Sequence, residues 1–194
     1  MKKTQNRIIS PHAGWRLCLY VVLVMFASCK SCKKEINLLP DETQTGANTF
    51  GCLVDGKAWI PNGGSGFGTS KPISGGYSSP LPNVWLRTYK DNETITFYIR
   101  NVNKVGNYPL NFDTQPKPAN LDPQNYGEFV KYNDTIGGDF YMTNTIYTGS
   151  VEITRADPTN LILSGRFSFT GFDISTGKTI KVTDGRFDIN QKTQ

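Results

Sequence analysis

The chain has 194 residues, with 21 Lys and Arg against 16 Asp and Glu and a single histidine, His12. Four of those basic residues and His12 fall in the first 28 positions, so the remainder carries 17 basic against 16 acidic groups. That near-neutral balance removes the electrostatic basis of nucleic-acid binding. Without histidine, the remainder cannot build a Ser-His-Asp or Cys-His site, or a histidine-ligated zinc or iron centre.

In chain order, residues 1–28 read as an export signal. Lys2, Lys3, Arg7 and Arg16 make a positive start, and an unbroken apolar run follows from Leu17 to Ala27. A membrane-spanning helix needs about 20 apolar residues, so this run has the length of a signal core. Phe26-Ala27-Ser28-Cys29 resembles a lipobox, the site recognised by bacterial lipoprotein signal peptidase, with two small residues before the cysteine. Cleavage there makes Cys29 the lipid-carrying N-terminus. Each buried acyl methylene contributes roughly 0.8 kcal/mol, so a multiply acylated Cys29 anchors firmly in membrane lipid.

Residues 29–48 lack any apolar period and read as a lipidated cysteine and flexible tether. Residues 49–194 read as one all-β domain. Phe50, Cys52 and Val54 alternate, and Asp55-Gly56 supplies a tight hairpin turn to Lys57–Ile60. Val84–Tyr89 joins Ile95, Phe97 and Ile99 through Lys90–Glu93, with Thr94, Thr96 and Tyr98 expected on a wet face. Val151 and Ile153 point inward. Leu161, Leu163, Phe167 and Phe169 line one side of a long strand whose other side shows Ser164, Arg166, Ser168 and Thr170.

Near the C-terminus, Asp184-Gly185 reads as a two-residue turn, which sets Val182 against Phe187, Ile180 against Ile189 and Lys181 opposite Asp188. A single bent strand with a bulge at Gly185 is the alternative. Asp122-Pro123 is the best helix start. Residues 61–82 and 113–127 read as long loops. Short strands between such loops predict an antiparallel β-sandwich or partly open barrel of about 8–10 strands.

Residues Thr49–Trp59, Ser164–Phe169 and Ile180–Asp188 carry a likeness. With them, the chain resembles a domain-of-unknown-function family of Bacteroidota-type outer-membrane lipoproteins. The resemblance implies an outer-membrane lipoprotein and brings no catalytic residue. Some surface lipoproteins of that lineage carry acids just after the lipidated cysteine. Here Lys30, Lys33 and Lys34 stand instead, which favours the periplasmic side. Asp134-Thr135-Ile136 resembles the short glycan-acceptor motif of exported proteins of that lineage, making Thr135 a glycosylation candidate.

Chemistry is sparse. Cys52 reads as a small buried hydrophobe, with a Cys32–Cys52 disulfide as the alternative. Gly171–Thr179 misses the phosphate-loop spacing by one residue and reads as a hairpin loop. Glu128, Asp134, Asp139 and Glu152 are the carboxylates considered for glycan hydrolysis, and they read as scattered surface acids. Trp85, Tyr89 and Tyr98 are the candidate ligand contacts, being aromatics on a strand's polar face. No cofactor or metal is expected. The reading is a non-catalytic, lipid-anchored binding or structural module of the cell envelope, whose partner is an envelope protein or glycan. A carboxylate-dependent enzyme acting on glycans is the alternative.

Overall fold

A computed structural model describes residues 35–66, 68–78, 82–112, 124–133 and 137–194. Cys29, Cys32, Thr135, the signal expected over residues 1–28 and the helix start expected at Asp122-Pro123 lie outside the described residues.

The regular structure of the described chain is almost entirely strand. In order these are β1 (Thr49–Val54), β2 (Lys57–Trp59), β3 (Gly63–Gly66), β4 (Gly68–Ser70), β5 (Ile73–Ser78), β6 (Asn83–Asp91) and β7 (Glu93–Ile99). After them come β8 (Gly106–Leu110), β9 (Tyr126–Tyr132), β10 (Gly138–Met142), β11 (Gly149–Asp157), β12 (Ile162–Asp173) and β13 (Lys178–Asn190). All belong to one hydrogen-bonded sheet, in the order β2-β1-β13-β12-β10-β9-β7-β6-β3-β4, with β11 and β8 running beside β12 and β5 beside β6. Nine strands of this sheet curl into a half-barrel, so the all-β expectation holds. Residues 61–82, expected as loop, contain β3, β4 and β5. Their glycines carry no side-chain alternation from which a strand could be read.

The curl brings distant strands face to face. Phe97 on β7 meets Phe167 on β12 at 5.5 Å and Phe187 on β13 at 5.3 Å between ring centroids. Phe50 on β1 adds contacts to Phe167 at 5.0 Å and Trp59 at 6.0 Å. Such pairs contribute about 0.5–1.5 kcal/mol each beyond their buried area. Cys52 is fully buried in this core, as its flanking apolar residues suggest, and burial pushes its thiol pKa up.

Three hairpins form where the sequence places them. Asp55 and Gly56 both adopt positive φ, the requirement of a tight two-residue turn, and Val54 pairs with Lys57. Lys90 pairs with Glu93 across Asp91-Asn92. β12 and β13 close at Asp173↔Lys178, where the Asp173 carboxylate accepts the Ser175 amide at 2.8 Å and the Ser175 hydroxyl at 2.6 Å.

The expected turn at Asp184-Gly185 is instead a bulge inside one continuous strand, the alternative reading. β13 pairs with β12 on one side and β1 on the other, and both ladders slip at this point. Asp184 takes φ of 53° to absorb the extra residue. Val182 therefore faces Phe169 and Val54, not Phe187, and Lys181 faces Thr170, not Asp188. Two other faces differ from expectation. Thr94 and Thr96 are buried rather than wet, and so is Ser164, whose hydroxyl donates to Asp188 at 2.7 Å.

The largest departure is the stretch expected as free tether. From Glu35 to Asn48 the chain is a strap bound to the outer side of β1, β12 and β13. Leu39 is buried and Pro40 packs on Gly51. The Asp188 carboxylate accepts the Thr43 hydroxyl at 2.6 Å and the amides of Thr45, Gly46 and Ala47 at 2.9, 2.8 and 3.0 Å. Glu42 pairs with Arg166 at 2.6 Å, and the Asn190 amide donates to Asn48 at 2.7 Å. The strap's polar composition misleads because sheet side chains, not water, satisfy its backbone. The compact unit begins at Glu35.

Candidate binding groove

The three aromatics singled out from sequence lie on one outer face. Trp85 on β6 sits directly opposite Tyr98 on β7, which in turn faces Tyr126 on β9. Tyr98 and Tyr126 stack at 6.2 Å with an 18° interplanar angle. Tyr89 lies two rungs along the same face, opposite Thr94. Between them Arg87 lies 5.2 Å from the Trp85 ring, donates to Thr96 at 3.0 Å and pairs with Glu128 at 3.8 Å. Burial, reinforced by the charge of Glu128, pushes the Tyr126 hydroxyl up to about 12. The structure thus joins Trp85 to Tyr98 and separates both from Tyr89 by a packed Arg87–Glu128 rung.

The considered carboxylates do not converge. Glu128 is buried beneath Arg87. Glu152 is exposed on β11 and pairs with Arg166 at 3.2 Å. Asp134 lies outside the described residues. Asp139 and Glu152 line separate concavities. Among the described residues Glu42, Asp157, Asp173 and Asp188 are held below the ordinary carboxylate range. A glycosidase acid needs the opposite shift. Among the described residues no three His, Cys, Asp or Glu side chains form a metal-binding group.

Two concavities stand out. One, of about 570 Å³, lies on the outer face of β11, β12 and β13 against the strap. Its floor holds Arg166 directly opposite Arg186, a like-charge pair that Glu42 and Glu152 offset. Both carboxylates pair with Arg166, whereas Arg186 donates to the Pro40 carbonyl at 3.3 Å and keeps a buried Nε without a partner among the described residues. The Glu42 and Pro40 contacts fasten the strap.

The other is a groove of about 520 Å³ where the β1–β2 and β6–β7 hairpin ends meet the paired ends of β9 and β10. Trp59, Phe129, Tyr141 and Ile180 form its apolar floor. Its rim alternates in charge, with Lys57, Lys90 and Lys131 against Asp55, Glu93 and Asp139. The Trp59 indole N–H donates to Glu93 at 2.9 Å, and Lys131 pairs with the other Glu93 oxygen at 3.5 Å. Lys90 reaches over the Trp59 ring at 6.0 Å. Burial raises the Tyr141 hydroxyl pKa, and the charges of Asp139, Asp173 and Asp55 add to the shift. An apolar floor with a few fixed polar groups is the usual form of a small-ligand site. Sequence reasoning missed all of these residues but Asp139. The Lys/Asp/Glu-rich turns were visible, but nothing local says that they meet.

Fold and groove together define an all-β module, a strap-bound, curled and mostly antiparallel half-barrel with a charged, aromatic-floored groove. The chain belongs to the family described as Domain of unknown function (DUF6252), whose profile matches residues 82–188. That span carries the β6, β7, β9, β10 and β13 walls of the groove but not the β1–β2 wall or the strap. No curated protein and no solved structure matches the chain.

Proposed function

We propose that the chain is an exported, lipid-anchored cell-envelope protein whose half-barrel is a non-catalytic binding module. One observation carries the binding half of this reading: the turn-end groove pairs an apolar aromatic floor with fixed charges of both signs. Glu93, the acid best placed over that floor, is committed to the Trp59 indole and Lys131, which suits holding a ligand rather than moving a proton. The envelope half rests on the sequence, namely the residue 1–28 signal and the small residues before Cys29. The anchor is an acylated Cys29 in an outer membrane of Bacteroidota type, with the domain on the periplasmic side. Thr135 is the proposed glycan acceptor, and the partner is an envelope protein or glycan.

The test is fractionation of cells carrying wild type or Cys29→Ala, with labelled palmitate as tracer. The wild-type chain takes label and sediments with the outer membrane, and the variant loses both. A wild-type chain that takes no label yet stays with the membrane overturns the anchor.

A further inference from the structure

The rim of the groove keeps charges beyond those that the fold uses, although the Asp55 carboxylate already accepts the Lys181 amide at 2.9 Å. Glu93 and Lys131 satisfy each other. Lys57 and Lys90 form no ion pair among the described residues, and Asp139 accepts no hydrogen bond from them. Lys90 overhangs Trp59. Three cations and three anions are interspersed around the groove, with Asp139 directly opposite Lys131 and Lys90 opposite Glu93, and they sum to no net charge. A purely anionic or cationic ligand therefore meets like charge, whereas a short zwitterion matches both signs.

We infer that this groove takes a zwitterionic phospholipid headgroup, its ammonium toward Asp55 and Asp139 and its phosphate toward Lys57 and Lys90. This rests on the lipid-anchor reading for its choice of a lipid. One observation favours a bilayer source: the strap begins beside the groove, since the Ala58 amide donates to Glu35 at 2.9 Å and Lys57, Ala58 and Trp59 all line it. Residues 30–34 allow no more than about 20 Å between Cys29 and Glu35. An anchored domain thus holds the groove near the membrane surface.

The test is titration of the full chain, in nonionic detergent micelles, with glycerophosphoethanolamine. The readout is the NMR resonance of the Trp59 indole N–H, assigned by Trp59→Phe. A saturable shift is expected, weakened about tenfold or more by Lys90→Ala or Asp139→Asn, the cost of one charge-assisted contact. Lys192→Ala should leave it unchanged, and unaltered thermal midpoints show that the variants fold. Glycerol 3-phosphate, lacking the ammonium, and glycylglycine, lacking the phosphate, should bind more weakly. No saturable Trp59 shift, or one indifferent to both rim variants, overturns the site. Tighter binding of glycylglycine overturns the lipid assignment in favour of a peptide. The probe is soluble, so its binding does not depend on Cys29. A failed titration with acylated Cys29 removes the groove assignment and leaves the anchor. A successful one with unacylated Cys29 keeps the groove and removes the bilayer as its source.

Discussion

The carboxylate of Asp188, buried on the last strand, accepts a 2.6 Å hydrogen bond from the hydroxyl of Thr43, 145 residues earlier in the chain. Through this contact and the adjoining amides of residues 45–47, the end of the domain holds its beginning. Burial alone would raise the Asp188 pKa. Hydrogen bonds from Ser164, Thr43, Ala47 and Gly46 outweigh it and hold the group at about 2.

The strap's contribution to stability should therefore depend on acid in a defined window. A carboxyl depressed when folded stabilises fully above its unfolded pKa of about 3.9, and that stabilisation is lost as pH falls toward about 2. Urea midpoints of wild type should fall between pH 4 and pH 2 by more than those of Asp188→Asn. Parallel pH profiles for the two would contradict the clamp.

At neutral pH, Asp188→Ala should cost on the order of 3 kcal/mol, because it leaves buried donors without an acceptor. Thr43→Ala should cost about 1 kcal/mol. The two effects should be non-additive in a double-mutant cycle, since they share one contact. Additive costs would place Thr43 outside the clamp.

The β13 bulge predicts a ranking among three substitutions. Phe187→Ala should cost about 3–5 kcal/mol, as a core aromatic touching Phe97 and Phe167. Gly185→Ala should cost about 1–3 kcal/mol, because an added Cβ would lie 2.5 Å from the Phe167 ring packed across it. Lys181→Ala should cost less than about 1 kcal/mol, because its side chain is exposed and its bonds to Asp55 run through its backbone. Equal effects on the urea midpoint would contradict the strand.

How far the sequence was readable follows from how local each signal is. The β1–β2, β6–β7 and β12–β13 hairpins were legible because both partners and the turn chemistry lie within a few residues. The bulge at Asp184 was not, because Asp-Gly supplies positive φ equally well to a hairpin and to a bulged strand. Only the partners Phe169 and Val54, far away in sequence, decide between them. The strap was hidden for the same reason, since Thr43 and Gly46 look like linker residues until Asp188 is seen beside them. The groove was the least legible feature. Trp59 and Tyr141 read as ordinary strand aromatics, and their shared floor exists only once the sheet has curled.

Thr135 supplies a prediction that does not depend on the fold. Its tryptic peptide from native cells should carry glycan mass, and Thr135→Ala should remove it. A wholly unmodified peptide from native protein would contradict that assignment.

The most direct test of the lipid-anchored account is the intact mass of the protein purified from its own envelope. The account predicts a chain that begins at Cys29, carries acyl groups on that residue, and lacks residues 1–28. A mass matching the uncleaved chain, or a chain starting at Cys29 without acyl groups, would contradict it.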